Sequence, residues 1–405
     1  LGAITAEGAT YYVATTGNDA NPGTLNQPFK SFKKGVGLLQ PGDTLYIRGG
    51  LYTEQIDLQT PNKTGTAGNY ITIAGYPGET VTLKWTDLKE SSYGPIKARG
   101  KLGYLIFENL VLDGTNGTNL SGWSIRDGNH HFILRNLEIK NFRHVGLYIS
   151  SANNIQVTHC IIHDQISVSG QPGQRWYGIY FHDGTNSVIE GNKIYNNPGG
   201  GIQVYPGPIS NLVIRDNDIH HNNNLPTSPV PGILVSPGSG TPISGVQIYN
   251  NLVHLNGVNQ PDPGRSGGIG VGNGASDTKI LNNTVYGNKG WGINVQDGPS
   301  GPTENTVVQN NIVFANISGQ IIDQGSNSVV THNLTTDPKF VKAEASDFRL
   351  QPRSPAIDSG IFLREVKTDI SNVVRPAGPS HDIGAYEGGI LESNSPNAPT
   401  NLVVR

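Results

Sequence analysis

Two rows of residues in this chain could do chemistry. A short phrase, Gly followed by two apolar residues at alternate positions, recurs as GLYI from Gly146, GIYF from Gly178, GIQV from Gly201, GILV from Gly232, GIGV from Gly268 and GINV from Gly292. If the apolar residues point inward, the residues between them point outward. The first outward row then reads Tyr148, Tyr180, Gln203, Leu234, Gly270 and Asn294, and the second Ser150, His182, Tyr205, Ser236, Gly272 and Gln296. Histidine is the side chain whose unperturbed pKa lies near neutrality, so His182 suits a general base, with His144 as the alternative, while Tyr180 or Tyr148 could return a proton. Arg143 or Arg175 could neutralise a carboxylate, because the guanidinium fork matches its two oxygens. Tyr148, Trp176, Tyr205, Gln203, Asn294, Gln296 and Arg265 add rings, amides and a charge of the kind that bind sugar chains through stacking and hydroxyl contacts.

These rows need a scaffold that stacks the phrases in register, and a second repeat supplies it. VIEGNKIYNN, VIRDNDIHHN, VQIYNNLVHLN, KILNNTVYGN and VVQNNIVFAN carry anchor residues Asn192, Asn217, Asn251, Asn283 and Asn311 at intervals of 25, 34, 32 and 28 residues. That is the period of a solenoid coil, whose apolar face is buried only by its neighbours. Weaker copies upstream place Cys160 and Leu137 at the anchor, and Asn333 ends the series. The expected fold is all-β, a right-handed parallel β-helix of about nine or more coils, with adjacent coils about 4.8 Å apart. His163, His220 and His254 share a repeat position with Tyr195, Tyr286 and Phe314, which reads as an aromatic ladder between coils. Asn197, Asn222, Asn256, Asn288 and Asn316 form a second asparagine column, read as a turn ladder. Cys160, at an anchor position, reads as a buried thiol.

Three insertions precede outward strands: 165–177, 222–231 and 256–267. Lengthened loops at one corner of a solenoid build its binding face. They place Arg175, Trp176, Asp262 and Arg265 on the walls of a groove, with Arg126 and Asp127 adding charge at its N-terminal end.

The expected organisation is an N-terminal helical cap and first coils over 1–99, a β-helix core over 100–335 and irregular capping strands over 336–389. A linker over 390–405 resembles the start of a fibronectin-type module. Within 28–40, Phe29, Phe32, Val36 and Leu39 have the spacing of an amphipathic helix. The 53 Gly and 26 Pro with 35% hydrophobic residues describe a turn-rich globular chain. A net charge of −3 without a basic block argues against a nucleic-acid binder, and no apolar run is long enough to span a bilayer. Met is absent, even at position 1, so a processed or engineered fragment, with any signal peptide already gone, is expected.

YYVATTGNDANPGT, PFKSFKKGVGLLQPGDTLYIRGGLY, the coil phrases and the closing DIGAYE together resemble the secreted right-handed parallel β-helix proteins of the polysaccharide-lyase type. Pectate and alginate lyases, chondroitinase B and mannuronan epimerases share that architecture. The resemblance implies a secreted, monomeric enzyme that cleaves a uronic-acid-containing polysaccharide by β-elimination, with no certain cofactor and calcium left open. The family's catalytic motifs do not transfer residue by residue. A glycoside hydrolase using Asp164 with Asp183, a uronate epimerase and a non-catalytic carbohydrate-binding β-helix remain the alternatives.

Overall fold

The structure, a computed structural model, describes residues 8–84, 94–116, 121–167, 176–224, 230–260 and 267–388. Three parallel sheets wind around one core. The first runs from Thr10–Val13 to Val329–Thr331, the second from Ser121–Ile125 to Gly319–Asp323, and the third from Gly50–Tyr52 to Ile312–Phe314. Each coil visits the second sheet, then the first, then the third. In the third sheet the inward column is Leu112, Ile139, Ile162, Ile194, Ile219, Val253, Val285 and Val313, residue over residue. β-branched side chains suit this pleated, buried surface.

The corner between the first and third sheets explains the asparagine phrase. Its first residue adopts the left-handed conformation, as in Asn136, Asp216, Asn250, Asn282 and Asn310, all with φ between 54° and 57° or close to it at 49°. Asparagine tolerates that region better than other side chains. The next residue is the anchor, and its amide bonds the neighbouring coil. Asn192 Nδ2 donates to Asn217 Oδ1 at 2.9 Å, Asn217 to Asn251 at 2.9 Å, Asn251 to Asn283 at 2.9 Å, and Asn283 to Asn311 at 3.0 Å. The second column does the same from Asn197 to Asn316 and ends on Gln320. These residues are scaffold, as expected from the repeats.

The helix is Phe32–Leu38, started by Ser31, whose hydroxyl accepts from the Lys34 amide. Phe29, Phe32, Val36 and Leu39 are all buried. Cys160 is buried, and desolvation pushes its thiol up to about 12, which leaves it inert.

Residues after Asn333 lie along the flank of the last coils. Phe348 packs on His254 and Tyr286, with Phe340 beside it. The amides of Asn250, Asn282 and Asn310 donate to the carbonyls of Thr368, Asp382 and Ile361. The terminal strand Val329–Thr331 remains exposed. The linker at 390–405 lies outside the described residues. Among the described residues, no helix is long and apolar enough to cross a membrane.

Candidate active site

The second sheet carries the expected rows. Ser124, Tyr148, Tyr180, Gln203, Leu234, Gly270 and Asn294 are register partners in succession. Two residues further along each strand, Gly272 pairs with Gln296. His182, Tyr205 and Ser236 follow their strands at the equivalent position, and Arg126 lies in the same row one coil before Ser150, with Arg99 bridged to it from the coil before.

His182 and Asp183 form the best-organised group on this face. Asp183 Oδ1 lies 2.7 Å from His182 Nδ1 and accepts from Ser150 Oγ at 2.7 Å, while Oδ2 accepts from Ser151 Oγ at 2.8 Å. Burial disfavours the Asp183 charge, but the bonds from Ser150, His182 and Ser151 outweigh it and hold the carboxyl below its usual range. An ionised carboxylate only accepts, so Nδ1 carries the proton, and in the neutral form of the ring the lone pair is on Nε2. Tyr148 flanks the imidazole at 5.8 Å between ring centres.

The structure separates several candidates. Tyr180 is in outward register but fully buried, in a cluster with Val145, Tyr177 and Val230. It also meets the His182 ring edge-on at 5.7 Å. Burial removes it from contact with a ligand in the groove, so the expectation of Tyr180 as proton donor is corrected in favour of Tyr148. Arg143 and His144 precede the strand Val145–Ile149, whereas Ser150 follows it and His182 follows the adjoining strand Ile179–Phe181. A five-residue strand spans about 13 Å, which puts Arg143 and His144 at the opposite edge of the sheet from Asp183. Trp176 is at the Arg143 edge and 9% exposed. Gln203 is buried with Oε1 lacking a partner, and Tyr205 is half-buried. Arg175, Asp262 and Arg265 lie outside the described residues.

Asp164 follows a third-sheet strand, where it bonds His163 Nδ1 at 2.7 Å. It and Asp183 therefore stand at different corners of the coil, and no hydrolytic carboxylate pair is assembled from them. His163, Tyr195, His220 and His254 stack in sequence, with ring centres 4.8, 5.1 and 5.0 Å apart. Among the described residues no three His, Cys, Asp or Glu side chains are placed to hold a metal ion.

Sequence reasoning missed two parts of this site. Arg126 was not aligned with the second row, although its strand carries the same phrase, Gly122-Trp123-Ser124-Ile125, with Trp123 and Ile125 inward. Asp183 was weighed only as an acid; its pairing with His182 depends on the corner that turns the two side chains together.

Downstream, a cavity of about 450 Å³ opens over Gly270 and Gly272 and is bordered by Leu234, Trp291, Asn294 and Asp297.

A family described as "Right handed beta helix region" matches residues 106–260 and 231–351, and one described as "Pel9A-like, right handed beta helix region" matches residues 11–176. The chain is 26% identical over 349 residues to the uncharacterized protein YwoF of Bacillus subtilis (strain 168), covering 80% of this chain and 67% of that one. It is 23% identical to pectate lyase L of Dickeya dadantii (strain 3937), covering 93% of this chain and 90% of the relative. The crystal structure of pectate lyase Pel9A superposes with a TM-score of 0.64 at 18% identity, over 94% of this chain and 96% of that one. Family match, sheet topology and structural likeness agree: the chain belongs to the right-handed β-helix family.

Proposed function

We propose that this chain is a secreted polysaccharide lyase that cleaves a uronic-acid-containing polymer by β-elimination in the groove on the second sheet. The observation that carries this reading is the His182–Asp183 pair, a base held in one tautomer on an open polar face. The likeness to pectate lyase L supports the reaction class. A polymer too large to enter a cell requires an enzyme outside it.

His182 Nε2 takes the proton at C5 of the uronate. The electron pair released forms the C4=C5 double bond and expels the glycosidic oxygen from C4. Tyr148 donates a proton to that oxygen. Arg126, in the His182 row, neutralises the uronate carboxylate as charge builds on it. No step is routed through calcium.

The test is incubation with pectate, alginate and glycosaminoglycans, with and without calcium, following the ultraviolet absorbance of the unsaturated uronate. Activity on one of them, reduced roughly 100- to 10,000-fold in His182→Ala, is expected for loss of a general base. Absence of the signal on every uronate polymer, or full activity in His182→Ala, overturns the proposal.

A further inference from the structure

The cavity over Gly270 and Gly272 is about three coil spacings, or ~14 Å, along the groove from His182. Side chains fill these two register positions in the adjoining coils: Leu234 and Ser236 before them, Asn294 and Gln296 after them. The glycines open a hollow across the full width of the sheet. A Cβ at Gly270 would lie 3.1 Å from Pro231 Cγ, and one at Gly272 would lie 3.0 Å from the Gln296 carbonyl oxygen.

Trp291 forms one wall of the hollow. Its ring lies so close to Gly319 of the next coil that a Cβ there would stand 2.2 Å from Cζ3, and Gly319 has a φ of +144° that other residues rarely adopt. The backbone at Gly319 thus fixes the ring in place before any ligand arrives. Such a preset aromatic face stacks on the C–H face of a pyranose.

The polar side chains at this end are Ser236, Asn273, Asn294, Gln296 and Asp297. Asp297 contributes a carboxylate, and the described lining includes no Lys or Arg. A neutral sugar hydroxyl can donate to the Asp297 carboxylate, whereas a uronate carboxylate would bring a like charge beside it.

We infer that the bay over Gly270 and Gly272 binds a neutral pyranose unit, stacked on Trp291 and donating a hydroxyl to Asp297. The inference rests on the polysaccharide reading for its occupant. It makes the substrate a heteropolymer in which neutral sugars accompany the uronates.

The full chain is titrated by calorimetry and tryptophan fluorescence with tetrasaccharides of glucose, xylose, mannose and galactose, and with uronate tetrasaccharides. At least one neutral tetrasaccharide should bind, with affinity reduced tenfold or more in both Trp291→Ala and Gly270→Gln and less in Trp291→Phe. Thermal melts establish that each variant is folded. The inference is overturned if no neutral tetrasaccharide binds, or if binding is unchanged in Trp291→Ala and in Gly270→Gln. It is also overturned if Trp291→Ala weakens the uronate tetrasaccharides and leaves the neutral ones unaffected. Binding is read without elimination, so failure here leaves the lyase test standing, and failure of the lyase test leaves this one standing.

Discussion

Asp183 decides what the neighbouring imidazole can do. Replacing it with Asn keeps the shape but offers the ring an amide that can accept or donate, so the tautomer with Nε2 unprotonated is no longer enforced. Asp183→Asn is expected to lower kcat about 100-fold with a small change in KM, read from initial rates of unsaturated product. A second charged group, on the third sheet, sets pH dependence of stability. Glu138, bonded by His163 Nε2 at 3.1 Å and Lys140 Nζ at 2.7 Å, is lowered to about 2 from 4.5. Its contribution is present above the unfolded value and lost as pH falls from about 4.5 through about 2. Burial opposes the charge of His163, yet the bonds to Glu138 and Asp164 raise its pKa, so its contribution is complete below 6.5 and lost as pH rises through the folded value. Glu138→Gln should therefore flatten the acid limb of a melting-temperature profile; an unaltered limb would show that the cluster contributes nothing. The outward rows were legible in the sequence because alternation assigns faces. The burial of Tyr180 was not, since it depends on Tyr177 and Val230 folding over the strand from two different coils.

At the scale of elements, the asparagine columns hold adjacent coils together. Asn251 Oδ1 accepts from both the backbone amide and the side chain of Asn217, and its own Nδ2 reaches Ile214, Tyr249 and Asn283. Asn251→Ala strands several buried polar groups, each costing about 1–3 kcal/mol. We expect a loss of at least ~3 kcal/mol in urea denaturation, against ~1 kcal/mol for Asn333→Ala at the half-exposed end of the column. Equal losses would mean that the ladder adds no more than an ordinary surface bond. The anchor column was legible because one residue type repeats. The left-handed residue before it was not, because His159, Gly191, Asp216 and Asn250 occupy equivalent turns with different side chains and only their backbone, with φ from 53° to 65°, is shared.

For the whole molecule, the segment after Asn333 was expected as a closing structure, and its path could not be read because its contacts follow no repeat. Asn250 meets Thr368 across 118 residues and Asn282 meets Asp382 across 100. Arg375 and Glu387 lock this segment through a fully buried ion pair at 2.6 Å, with Arg375 also donating to the carbonyls of Asp382 and Gly384. Arg375→Ala leaves the Glu387 charge unpaired, at a cost of about 3–5 kcal/mol. Limited proteolysis should then release the flank while hydrogen exchange in the coils around Asn192 stays slow, because each coil depends on its immediate neighbours. Simultaneous loss of protection throughout would show that the flank and the stack fold as one unit. The asparagine columns have one more consequence. Anchors separated by 25, 34, 32 and 28 residues make the same bonds, so alignment between coils is insulated from the length of chain between them. The chain between anchors can be lengthened, shortened or exchanged without disturbing the stack, so sequence can drift there on a framework that does not.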